Sequence, residues 1–362
     1  TIKTDNDVLM EAGNNINAGD IQSDDGSVLL KSGHDIATKN ILAAGDVKFD
    51  ASNDINAGNI TNGGDTFLKS NHNITTAVTK TAGDVEMHAA NDILARDIDT
   101  EGSATLTSGH NIKTAAINAA EDVNLDAANN IDAGAILAGG LAHLKAGYNL
   151  TAESIHADDD VLLEAGHDID SGEILTDEGS ALLSAGRNIN TAAIRASKDV
   201  KLRAGYDINA DTVTTDGNTE MTAGHNIETS DIKSGRDVLL HAGNDINANG
   251  AIINGGYTRL TSGHNITTSL VDTGEDVQME AGNNINAGDI KSHKGSVLLT
   301  SKHDIATKTI DAADDVKLKA SNDINAGDIV SGGETYLKSG HNITTATIKA
   351  GDDVKLHAAN DI

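Results

Sequence analysis

Residues 47–57 read Val47-Lys48-Phe49-Asp50-Ala51-Ser52-Asn53-Asp54-Ile55-Asn56-Ala57. Apolar or small side chains fall at Val47, Phe49 and Ala51 and again at Ile55 and Ala57. An offset of two is the period of a strand, where alternate side chains share a face, and a helix would need offsets of three and four. The step of four from Ala51 to Ile55 breaks the alternation and marks a corner. This stretch therefore predicts two short strands turning about one interior.

Working outward, the pattern recurs along the whole chain. A residue that is Asn or Asp, followed by Ile, returns with its aliphatic member at Ile16, Ile36, Ile55, Ile74 and onward to Ile343 and Ile362, with Leu150 standing in once. Every step is nineteen or twenty positions, as from Ile36 to Ile55 and from Ile16 to Ile36. Counted from this anchor, Leu, Met or Phe lies six residues earlier (Met10, Leu30, Phe49, Leu68), and Ala or Ser four earlier (Ala12, Ser32, Ala51, Ser70). Ala, Thr or Ser lies two later, and Ile or Val five later, Thr79 and Ala251 excepted. Ala251 is a slip of one residue, since Ile252 follows it.

A 19-residue unit cannot bury its own apolar face, so neighbours must stack to complete the core. The reading is an all-β parallel β-solenoid with about 19 residues and three short strands per rung, filling residues 1–362 as a single repeat rod of about 19 rungs. At the strand spacing such a stack would run for about 86 Å. Asp stands before Val nine residues ahead of the anchor in every second rung (Asp7, Asp46, Asp84, Asp122), so the genetic unit is a pair of rungs. Residues 12–93 also match residues 281–362 at about 59 of 82 positions. Copying on this scale, with no change of composition at either end, predicts a segment of a longer parent protein.

Composition agrees. Two Phe, four Tyr and no Trp leave no aromatic core of the globular kind, and the absence of Pro suits uninterrupted ladders. Cys is absent, so disulfides and thiolate metal sites are excluded. A formal charge of −29 argues against nucleic acid and anionic lipid as partners. No apolar run approaches the length a membrane-spanning helix requires, and Thr1 does not open a signal peptide.

The run of Leu, any residue, Ala, Gly, any residue, Asp or Asn, then Ile stands at Leu163–Ile169, Leu202–Ile208 and Leu240–Ile246. With it the chain resembles the filamentous-haemagglutinin-like exoproteins of two-partner secretion, which include large adhesins and contact-dependent toxin stalks. The resemblance covers the whole chain. It implies a right-handed parallel β-helix, export through an outer-membrane secretion partner, and a place outside the cell, secreted or anchored at a Gram-negative outer membrane surface. It also implies a structural or adhesive shaft, in an adhesin, a biofilm fibre or a toxin-delivery stalk. Its expected partners are a host or neighbouring cell surface, a matrix polysaccharide, or a second rod packed laterally.

Two columns are candidate sites. Asn or Asp precedes every anchor, ten Asn and nine Asp. A ladder of carboxylates could bind Ca²⁺, but free interchange of the two residues favours a corner side chain bonded to backbone. His stands two residues before the anchor at His34, His72, His110, His167, His225, His264, His303 and His341. Neighbours are mostly two rungs apart, about 9.6 Å, too far for one metal, which predicts a solvated corner. Gly fills the third position before the anchor in only 12 of 19 rungs, so no positive φ is required there. Glycan-active β-helix enzymes carry long loops around a cleft, and here rung length varies by one residue. No catalytic, cofactor-binding or metal residue is assigned, and no enzyme is expected; a calcium-dependent or ice-binding solenoid is the alternative.

Overall fold

The computed structural model describes residues 1–362, which contain 43 strands and no helix. The chain forms two compact units, Thr1–Gly179 and Ser180–Ile362. Each is a parallel β-solenoid. In the first unit a turn contributes a five-residue strand to one sheet, such as Val85–Ala89, and typically an eight-residue strand to another, such as Ile93–Thr100. Both pair in parallel with the equivalent strands one turn on: Val85 faces Ala104 and Ile93 faces Ile112. The second unit repeats the arrangement, with Val200–Ala204 beside Thr219–Ala223 and Ile189–Ala196 beside Ile208–Thr215.

Three segments per turn are present, but the second and third are usually one bent strand. The bend comes three residues after the anchor, where pairing skips a residue: Thr114 pairs Ala133 and Ala116 pairs Ala135, leaving Ala115 between them. Two successive outward residues there rotate the following inward pair, Ile117 and Ala119, onto a new wall of the core. Only in some turns does the strand divide in two, as at Ile16–Asn17 and Ile21–Ser23, or Ile227–Thr229 and Ile232–Ser234.

Each expected inward column is buried. Val85, Met87, Ile93, Ala95 and Ile98 are all 1% exposed or less, and Ile93 stacks on Ile of the turns above and below. A seventh column, seven residues after the anchor, is buried too, at Ala43, Thr81, Thr100 and Ala138. It escapes the hydrophobic pattern because Ala, Thr, Ser and Asn share it. Where it is Asn, the residue four further on becomes Thr: Thr66 Oγ1 donates to Asn62 Oδ1 at 2.8 Å, and Thr258 Oγ1 to Asn254 Oδ1 at 2.7 Å. Buried amides are thus bonded and not merely enclosed.

The slip at Ala251 is a β-bulge between Ala248 and Ala251, after which Ile252 meets Val271 in register. No glycine has a positive φ. Turns approach closely at the corner, where a Cβ on Gly166 would lie 2.1 Å from the carbonyl oxygen of Gly147, yet Ser52, Asn71, Ala90 and Lys302 hold the same place in other turns, so the local backbone adjusts to the residue present.

Candidate functional site

The residues immediately before the anchors form the most regular polar array in each unit. Each side-chain Oδ1 accepts the backbone N–H of its counterpart one turn later. In the first unit the series runs from Asn15 to Asp168 at 3.0–3.3 Å. In the second it runs from Asn188 to Asp361 at 2.9–3.3 Å. Asn and Asp interchange because the bond between turns needs only Oδ1, which both supply, while the Oδ2 of an Asp takes a further contact, as from Asn53 Nδ2 to Asp54 at 3.2 Å. The corner therefore works as the backbone-bonded turn that its composition suggested.

A second ladder lies on a different corner, nine residues before the anchor. Asp46 Oδ1 accepts from Asp65 N at 2.9 Å, Asp65 from Asp84 N at 2.9 Å, and Asp84 from Ser103 N at 2.8 Å. In the second unit Asp199 accepts from Asn218 N at 2.8 Å and Asp315 from Glu334 N at 2.8 Å. In the sequence this Asp marks only the two-rung unit, and its bonding role goes unread. Its recurrence just before an inward Val is the signal that could have revealed it. Buried hydroxyls close the same corner from inside, as where Ser292 Oγ donates to the Glu275 carbonyl at 2.6 Å.

At Asp92, Asp323 and Asp35 these bonds lower the carboxyl's pKa. At Asp92 burial works toward a higher value, but hydrogen bonds from His110 and from the backbone and side chain of Asn111 outweigh it and hold the carboxyl below its ordinary range. At Asp323 the backbone N–H of Asn342 is the main cause of lowering, with His341 assisting. At Asp35 the Asn53 side chain leads.

Six of the eight corner histidines are half exposed and His167 and His225 about a third exposed, but none stands alone in solvent. Nδ1 of His72, His110, His225, His264 and His341 lies 2.7–3.1 Å from the ladder Asp of the turn before. His34, His167 and His303 instead meet the Asp that follows them, at 2.7–2.8 Å. Two of the rings also stack on a tyrosine of the preceding turn, His167 on Tyr148 at 4.7 Å and His225 on Tyr206 at 4.5 Å between centroids. The column is thus a set of separate His–carboxylate pairs, one carboxylate to each ring.

The haemagglutinin-repeat family model matches residues 1–46, 42–112, 261–318 and 304–362, together more than half of the chain. These matches enclose the two copies, 12–93 and 281–362, that the sequence shows to be related. No curated protein and no solved structure matches the chain. Ladder-locked corners, parallel turns of near-constant length and the family match agree, and the chain belongs to the haemagglutinin-repeat family as a filamentous-haemagglutinin-like repeat region.

Proposed function

We propose that this chain is part of the extracellular shaft of a secreted, adhesin-like exoprotein, a spacer whose product is rigidity and reach. The observation that carries the reading is the pair of corner ladders: polar side chains that could have formed a site are committed to backbone N–H groups, turn after turn before the anchor and where Asp stands at the second corner. Corners of fixed length leave no loop long enough to wall a cleft, which favours a shaft over a glycan-active enzyme. Export through an outer-membrane partner suits the same architecture, because each turn needs only its neighbour to fold upon and a chain emerging end first can fold as it appears. Asp and Glu outnumber Lys and Arg by 55 to 26, so contacts with an anionic cell surface are left to other parts of the parent protein.

The test is to display the parent exoprotein on a Gram-negative cell and remove whole pairs of turns from this region. A shaft predicts that surface display persists and that target binding declines gradually with length. Abolition of binding by single exposed substitutions, with display intact, would make the region a receptor-binding surface instead. Dialysis against a calcium chelator followed by circular dichroism addresses the calcium-dependent alternative, which requires the β signal to collapse.

A further inference from the structure

One polar cluster belongs to neither ladder. It lies in the first unit, where the long strand Leu150–Ala157 ends and the chain turns the corner. His156 faces outward at the end of that strand, Asp158 follows the buried Ala157, and Asp177 occupies the position of Asp158 one turn later. Backbone pairing fixes the three: His156 lies opposite Leu175, and the N–H groups of Asp158 and Asp177 bond to the carbonyls of Ala138 and Ala157 at 3.0 and 3.1 Å. His156 Nε2 reaches across to Asp177 Oδ2 at 3.0 Å. One donor atom from each of the three residues lies within 4.8 Å of the other two.

We propose that His156, Asp158 and Asp177 form a binding site for one divalent transition-metal ion, with Zn²⁺ as its type. Donor atoms on a tetrahedral zinc at about 2.0–2.1 Å stand about 3.3 Å apart. The His156–Asp177 pair is already near that separation, and a modest rotation of the exposed Asp158 side chain completes a three-ligand face with room for water. The imidazole selects the metal class: Ca²⁺ and Mg²⁺ take oxygen donors, whereas His nitrogen suits zinc, nickel and copper. Stacking Asp158 and Asp177 one turn apart, with Asp159, Asp160 and Glu178 beside them in sequence, concentrates negative charge that a cation relieves.

An internal comparison separates this cluster from the His–carboxylate pairs elsewhere. In the second unit His293 Nε2 lies 2.7 Å from Asp272 Oδ1, the same two positions with the residues exchanged. The place equivalent to Asp158 is Gly274, which offers no ligand. That pair and the eight corner pairs each present two donors, and only the first unit's cluster presents three.

The experiment titrates Zn²⁺ into the metal-stripped 362-residue chain by calorimetry, in the presence of about 1 mM Ca²⁺, chosen to exceed zinc many-fold and so expose an oxygen-only site. The expected result is one saturable equivalent per chain, weakened about tenfold or more by His156→Asn and by Asp177→Asn and unchanged by His293→Asn. All three side chains are on the surface, and an unaltered circular dichroism spectrum verifies that each variant folds. No saturable binding, displacement of the zinc by calcium, or several equivalents indifferent to His156→Asn would each overturn the proposal, the last by assigning the metal to the corner histidines at large.

Discussion

At the scale of single residues, the ladder makes a distinction that ordinary similarity scales miss. Asp92 Oδ1 accepts from Asn111 N at 3.0 Å and from Asn111 Nδ2 at 2.9 Å. Asp92→Asn keeps that acceptor but gives up the charge beside His110 and the Oδ2 that Asn91 Nδ2 meets at 3.2 Å, and should lower chemical-denaturation stability less than Asp92→Ala, which also strands the Asn111 N–H and should cost about 0.5–1.5 kcal/mol. The two also differ in acid. Because Asp92, Asp35 and Asp323 are held below the ordinary carboxylate value, near 4, their contribution is complete above that pH and is lost as pH falls through their lowered values. A pH series of unfolding midpoints should therefore decline below about pH 4, and less steeply in Asp92→Asn. The interior offers the opposite case. Thr114 is 5% exposed and its hydroxyl has no protein partner, as is true of Thr76, Thr229 and Thr268 in the same column. Thr114→Val replaces an unpaired buried hydroxyl by a methyl of the same shape and should leave the melting temperature unchanged or raise it; a clear fall would mean that the hydroxyl is bonded in solution.

At the scale of the strand, inward and outward positions differ by whole kilocalories. Leu163 is fully buried in Val161–Ala165, so Leu163→Asp places an unpaired charge in the core and should cost several kcal/mol, read as local protease sensitivity and a lowered midpoint. His167→Ala gives up a ring stack on Tyr148 and one contact with Asp168, and should cost about 1 kcal/mol or less. Six of the seven inward columns are legible in the sequence, because strand alternation separates aliphatic from polar residues and the anchor is almost always Ile. The seventh was not, since Thr81, Ala138, Ser292 and Asn62 share no hydrophobicity; what they share is size and a wall of the core. The Asn and Asp corner was legible for a chemical reason, that no other pair of side chains offers Oδ1 at that reach. The grouping of His156 with Asp158 and Asp177 was not, because it occurs once, reaches across a whole turn and leaves no trace in a periodic pattern.

At the scale of the molecule, stability is a sum over like turns, and the sum has a definite register. In the first unit every turn meets its neighbour through parallel pairs one repeat apart, Ile55 with Ile74 and Ile93 with Ile112, the anchor ladder bonds its corner from turn to turn, and the second ladder bonds its corner where Asp stands there. Deleting residues 55–92 removes 38 residues, two complete turns, and joins Asp54 to Ile93, so Ile meets Ile and the corner Oδ1 still finds an N–H above it. Nearest-neighbour stacking survives, and the loss should be the share of those two turns alone. Deleting residues 55–64 removes only ten residues, about half a turn, and the shortened turn cannot circle the core. Its inward side chains would face water, and its Oδ1 and N–H groups would be displaced from their partners. The expected outcome is that the 38-residue deletion keeps the full β signal per residue in circular dichroism and resists limited proteolysis, while the ten-residue deletion is cut at the junction. Should the larger deletion prove the more damaging, the 19-residue turn would not be the unit in which this protein folds, and the ladders would be a consequence of some other repeat.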